Sequence, residues 1–182
     1  AMNTCERDTL MSHFNIHASY IFYLLMPFFK IFPFEETLFV FQAIGAMGGI
    51  VPMVLILKNR NFKGLSMLCF SLAYVLSVCF IGPCFYDFHE NCFLLPLLMW
   101  VFYFFEKEKY LWMYGFAFLT LMVKEDAAIY VIFFALYVII SRKKIAHGLI
   151  LAICSAIYFI TALAILEGLA TYWADFYAND TP

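Results

Sequence analysis

Leu38-Phe39-Val40-Phe41-Gln42-Ala43-Ile44-Gly45-Ala46-Met47-Gly48-Gly49-Ile50-Val51-Pro52-Met53-Val54-Leu55-Ile56-Leu57 carries a single side-chain amide and no charge. A helix needs about 20 consecutive apolar residues to cross a bilayer, and this run supplies them. Further apolar runs occupy 16–32, 66–85, 92–105, 110–123, 127–140 and 146–166. Those at 66–85 and 146–166 are of spanning length, whereas the three between 92 and 140 are shorter. A helix of about 14 residues rises only about 21 Å against a hydrocarbon core of about 30 Å. These shorter helices are expected to extend through the polar residues that flank them. Within the first-quoted run, Gly45 and Gly49 form a small-x-x-x-small pair beside Gly48, a face expected to let another helix approach closely.

Composition agrees with this reading. Hydrophobic residues make up 65% of the chain, aromatics 21% and charged residues 13%, against about 45–50% apolar and 25% charged in soluble domains. With a mean hydropathy of +0.88, too little polar surface exists to cover a soluble globule. The expected fold is all-α: a polytopic transmembrane helix bundle with about six spanning helices and an outer interfacial helix. Residues 1–182 are read as one integral membrane domain, with an outer-face segment 1–37, a transmembrane bundle 38–166 and an outer-face tail 167–182. The chain begins with Ala1 and shows no basic-then-apolar leader, so it is expected to be an internal fragment of a longer protein. A net charge of −2 gives no reason to expect a nucleic-acid partner; membrane lipid is the expected one. The cysteines Cys5, Cys69, Cys79, Cys84, Cys92 and Cys154 show no C-x-x-C spacing and read as free thiols filling core space. Cys84 and Cys92 flank the first polar cluster, close enough in sequence to approach each other, though no spacing requires it.

Basic residues orient the runs. Lys58, Arg60 and Lys63 follow one run, Lys107 and Lys109 another, and Arg142, Lys143 and Lys144 a third. These are alternate loops, and by the positive-inside rule they are cytoplasmic. Among acidic residues only Glu106 and Glu108 join them; Glu35, Glu36, Asp87, Glu90, Glu125, Asp126, Glu167, Asp175 and Asp180 fall on the outer side. The run 16–32 contains Pro27 and Lys30 and ends in Phe32-Pro33-Phe34, which suits a helix lying along the outer surface. An ordinary spanning helix is the alternative. The string Tyr172-Trp173-Ala174-Asp175-Phe176-Tyr177 reads as an outer-interface aromatic belt.

Two polar clusters interrupt the apolar runs, and counting alternate crossings puts both on the outer side. An ionisable residue at the bilayer centre costs about 2.5–3.5 kcal/mol on insertion scales, so such groups are retained where they act. The first cluster, Tyr86-Asp87-Phe88-His89-Glu90-Asn91, offers two carboxylates and an imidazole. Asp87 or Asn91 capping a helix start is the structural alternative. A carboxylate–imidazole pair in a low-dielectric mouth also supplies a general base, and Asp87, His89 and Glu90 are equally candidates to hold a divalent cation. The second cluster, Lys124-Glu125-Asp126, has no glycine, proline or serine to make a relaxed loop. It reads either as a mutually neutralising turn or as a cation for an anionic group with carboxylates fixing it in place. His13 is either incidental or a third participant, since the assigned topology puts it on the same face. His17 and His147 have no such support.

Residues 86–90, a Leu/Pro-rich helix, a short charged loop, another helix and Val123-Lys124-Glu125-Asp126-Ala127-Ala128 together resemble one family. It is the family of predicted membrane proteins catalogued as domain of unknown function 2079. Ser12-His13-Phe14, followed by an aromatic helix and Pro27, also matches, so the resemblance runs from about residue 12 to about residue 166. That family is similar to the multi-pass GT-C glycosyltransferase superfamily, and the resemblance implies a GT-C-like fragment. The likeness implies sugar transfer from a polyprenyl-phosphate donor at the outer face. GT-C enzymes usually present an acidic residue in the first external loop; Glu6 and Asp8 are not assigned to that role.

On this reading Asp87 or Glu90 deprotonates an acceptor hydroxyl while His89 orients or shares the proton. Lys124, with Glu125, Asp126 and His13, binds the substrate and neutralises charge on the departing lipid phosphate, with a divalent cation as a candidate aid. The alternatives are a transporter or a non-catalytic membrane scaffold. Transporters place polar groups near the midplane in repeated halves; here the ionisable groups gather at one surface and no repeat is visible.

Overall fold

The computed structural model describes residues 3–4, 11–12, 14, 16–77, 81–82 and 88–179, with side chains described for 14, 16–77, 81–82 and 88–172. His13 and Asp87 lie outside these residues. Apart from one short antiparallel pairing, β1 (Asn3–Thr4) with β2 (Met11–Ser12) in the register Asn3↔Ser12 and Thr4↔Met11, the described elements are helical. The chain forms two compact units, one of residues 1–19 with 124–182 and the other of residues 20–123.

The 20–123 unit contains α1 (Phe22–Ile31), α2 (Glu35–Gly48), α3 (Ile50–Asn59) and α4 (Leu65–Val75). A 3-10 turn (Glu90–Phe93) then leads into α5 (Leu94–Glu106) and α6 (Tyr110–Leu121). Helices α2 and α3 run on from one another as a 25-residue apolar segment, Glu35–Asn59, long enough to cross a membrane. The one-residue break at Gly49 has a cause in the sequence: Pro52 has no N–H, and its ring crowds the carbonyl four residues earlier. At this break the buried Tyr74 hydroxyl donates to the Ala46 carbonyl at 2.8 Å. The glycine face behaves as its spacing predicts. A Cβ on Gly45 would collide with the Phe93 ring, and one on Gly49 would collide with the Tyr74 hydroxyl and lie 2.9 Å from Pro96 Cα. Gly48 faces open space.

Helix α1 has ten residues, which rise about 15 Å. That is about half of a hydrocarbon core, so this helix by itself is too short to span. Tyr23, Leu24, Met26, Phe28 and Ile31 are exposed along it, and the Ile21 N–H donates to the Met122 carbonyl at 2.7 Å, tying its start to the end of α6. The run 66–85 is helical over Leu65–Val75, and part of its remainder lies outside the described residues. Helix α5 lengthens through the 3-10 turn to include Glu90, the extension through polar residues that its short apolar run demands. Trp100 stacks on Phe116 at 5.5 Å and Phe104 stacks on Trp112 at 5.9 Å, closing α5 onto α6. Arg60 meets Glu106 at 3.3 Å, and the Lys107 ammonium donates to Asn59 at 2.8 Å. Two of the basic loops therefore share one end of this unit, as alternate loops should.

The other unit is built on α7 (Ala127–Arg142) and α8 (Ile145–Asn179). Ala127, Ala128, Val131, Phe134, Ala135 and Val138 make a buried stripe at helical spacing along α7, and Leu151, Ser155 and Ala162 are buried on α8. A Cβ on Gly148 would sit 2.9 Å from the Ala135 carbonyl and strike Ile139, so glycine sets how closely the pair packs. Lys143 adopts the left-handed conformation (φ 53°) and the Lys144 N–H donates to the Val138 carbonyl at 3.3 Å. This Schellman-type ending reverses the chain. Helix α8 continues through Glu167 to Asn179, beyond the end of its apolar run, and its Ile145–Tyr172 portion is a second segment long and apolar enough to cross a membrane. Helices α1, α4, α6 and α7 are apolar but only 10 to 16 residues long. Of the six or so spanning helices expected, two among the described residues have the full length by themselves. Tyr172 is exposed, whereas the remaining belt side chains lie outside the described ones.

Candidate functional site

Helix α7 begins directly after the charged turn. Without glycine or proline, the turn closes by short-range backbone bonds: the Ala127 N–H donates to the Lys124 carbonyl at 3.1 Å and the Ile129 N–H to the Asp126 carbonyl at 3.0 Å. Asp126 occupies the N-cap position in helical conformation and makes no side-chain cap bond. Its Oδ1 is buried and has no hydrogen-bond partner among the described residues.

Both oxygens of Glu125 are engaged. Oε1 lies 2.9 Å from His17 Nδ1, and Oε2 accepts the Ala18 N–H at 2.8 Å. Burial pushes this carboxyl upward, but hydrogen bonds from His17 and from the Glu125 and Ala18 backbone, with the attraction of the imidazole, outweigh burial. The net result is a pKa below the ordinary carboxylate value. Lys124 is half-buried, and among the described residues no carboxylate pairs with it. The turn is thus not self-neutralising: its Glu has turned to a segment 108 residues away in sequence.

In the 20–123 unit, His89 is exposed and extended, and its N–H donates to the Oε1 of buried Gln42 at 3.1 Å. Glu90 opens the 3-10 turn and is 4% exposed, a carboxyl at the positive end of the helical segment that follows. Asn91 does not cap: its Oδ1 is buried without a partner among the described residues. Phe88 packs on Phe22 at 5.7 Å and on Phe93 at 6.3 Å, anchoring the segment in aromatic contacts. Among the described residues, no three His, Cys, Asp or Glu side chains converge as a metal site. Cys69 and Cys154 are free, exposed thiols, and Cys92 is buried.

Lys124, Glu125 and Asp126 therefore lie in one unit and His89 and Glu90 in the other. The sequence reading passed over His17 and Gln42. Only a weak signal pointed to His17: Glu125 is a carboxylate between two apolar runs, and a part-buried carboxylate needs a donor. No linear spacing says which donor. Gln42 was legible as the lone amide of its apolar run.

Among the described residues the helices turn Phe, Leu and Ile outward and include two segments of spanning length, the surface that a membrane chain presents to lipid. The chain belongs to the family described as Predicted membrane protein (DUF2079), which it matches over residues 3–171. No curated protein and no solved structure matches the chain.

Proposed function

We propose that this protein transfers a sugar from a polyprenyl-phosphate-linked donor to an acceptor hydroxyl at the outer face of the membrane. The observation that supports this reading is the state of Lys124, which neither Glu125 nor Asp126 neutralises. Cleavage of the anomeric carbon–oxygen bond leaves its electron pair on the lipid phosphate. An ammonium held at the start of a helix between apolar segments stabilises that charge more strongly than it would in water. The outer-face location rests on the distribution of lysine and arginine among alternate loops. His13 is carried as a donor-side contact on the same topological ground.

Sequence assigns acceptor deprotonation to Asp87 or Glu90, with His89 sharing the proton. Asp87→Asn and Glu90→Gln test that assignment independently of Lys124. The central test is Lys124→Ala in the full chain, reconstituted with polyprenyl phosphate carrying labelled mannose, glucose or galactose. Transfer falls by about 100-fold or more, with Lys124→Arg retaining part of it. Transfer by Lys124→Ala at the unsubstituted rate rejects the proposal, as a scaffold would tolerate the change. Dependence on a divalent cation is read in the same assay by adding and then chelating Mg2+.

A further inference from the structure

We infer that His17, held by Glu125, is the base that takes the proton from the acceptor hydroxyl, an inference that rests on the transferase reading above. The pair is constructed from distant parts of the chain within one unit, with His17 Nδ1 at 2.9 Å from Glu125 Oε1. An ionised carboxylate only accepts, so Nδ1 carries the hydrogen and Nε2 is the basic nitrogen. Glu125 cannot swing away, because its second oxygen is fixed by the Ala18 N–H at 2.8 Å. That fixes the ring orientation and stabilises the imidazolium formed when the proton arrives. Glu125 is thus a positioning residue. The sequence-based alternative is built differently: Glu90 is buried at 4% exposure, and the bond from His89 to Gln42 is made by its backbone rather than its ring.

Lys124 is the chain neighbour of Glu125, which places the phosphate cation on the same turn as the carboxylate that holds the base. In the step, the acceptor O–H gives its proton to His17 Nε2 and its oxygen forms a bond to the anomeric carbon. The bond from that carbon to the phosphate oxygen breaks, and its electron pair leaves with the polyprenyl phosphate. The imidazolium then returns its proton to water.

The test uses the full chain in lipid vesicles, the labelled polyprenyl-phosphate sugars named above, and acceptors graded in acidity from alkanols through fluoroalkanols to phenols. His17→Gln keeps an N–H to donate to Glu125 but accepts no proton. It lowers kcat for alkanols by about 10²–10⁴-fold with little change in KM for the donor. The loss shrinks as the acceptor becomes more acidic, a trend that a purely structural role does not produce. Should His17→Gln fail to fold, Glu125→Gln retains the imidazole with a neutral partner, and a smaller loss with the same acidity trend is expected. Unchanged transfer by either folded variant, or a loss independent of acceptor acidity, overturns the role of His17. If that occurs while Lys124→Ala abolishes transfer, the transferase reading stands without it. No transfer from any of the donors by the unsubstituted chain removes both.

Discussion

Glu125 illustrates how one residue carries structure and chemistry together. Its folded pKa lies below the ordinary value, so its contribution to stability is present above the unfolded pKa near about 4.3 and is lost as pH falls through the folded value. Detergent-solubilised protein should therefore show a thermal midpoint that drops on acidification across that window. The gap between it and Glu125→Gln should narrow over the same range; a gap independent of pH would mean the carboxylate charge is not what His17 and Ala18 stabilise. Glu125→Ala strands a backbone donor and should cost about 1–3 kcal/mol. Gln42 is a second residue of this kind. Its side chain receives the His89 N–H inside an apolar helix, so Gln42→Leu leaves a backbone N–H unpaired and should also cost about 1–3 kcal/mol in equilibrium unfolding.

At the scale of the element, the apolar segment 35–59 is one sequence pattern interrupted by one proline. Its glycines are not interchangeable. Gly49→Ala places a methyl against Tyr74 and 2.9 Å from Pro96 Cα, and overpacking of this kind should destabilise by about 1–3 kcal/mol. Gly48→Ala enters open space on a helix and should be neutral or stabilise by up to about 1 kcal/mol. Equal unfolding midpoints for the two variants would refute the close approach of α4 and α5 to this face. The hairpin of α7 and α8 follows the same rule, with Gly148 against Ala135 and Ile139.

For the whole molecule, sidedness is the testable property. Lys63 and Lys109 sit in exposed loops at the end of the 20–123 unit where Arg60 meets Glu106. Cysteines placed at these two positions should be modified together by an impermeant reagent applied from the cytoplasmic side, and neither from outside. Cysteines at 89 and 124 should label from outside. Opposite labelling within either pair would break the alternate-loop assignment on which the outer-face proposal depends.

Composition, run length and loop charge alone determined that this is a helical membrane chain, because hydrophobicity per residue and helical rise are local properties summed along the sequence. They also located the polar clusters at helix ends, since an apolar run of about 14 residues cannot span by itself. Membership in a membrane-protein family over residues 3–171 agrees. The pairing of His17 with Glu125 and of Gln42 with the His89 backbone was decided only by tertiary structure. Hydrogen bonds between residues 108 and 47 positions apart leave no periodic trace; they exist because buried polar groups must find partners wherever the packed helices bring them.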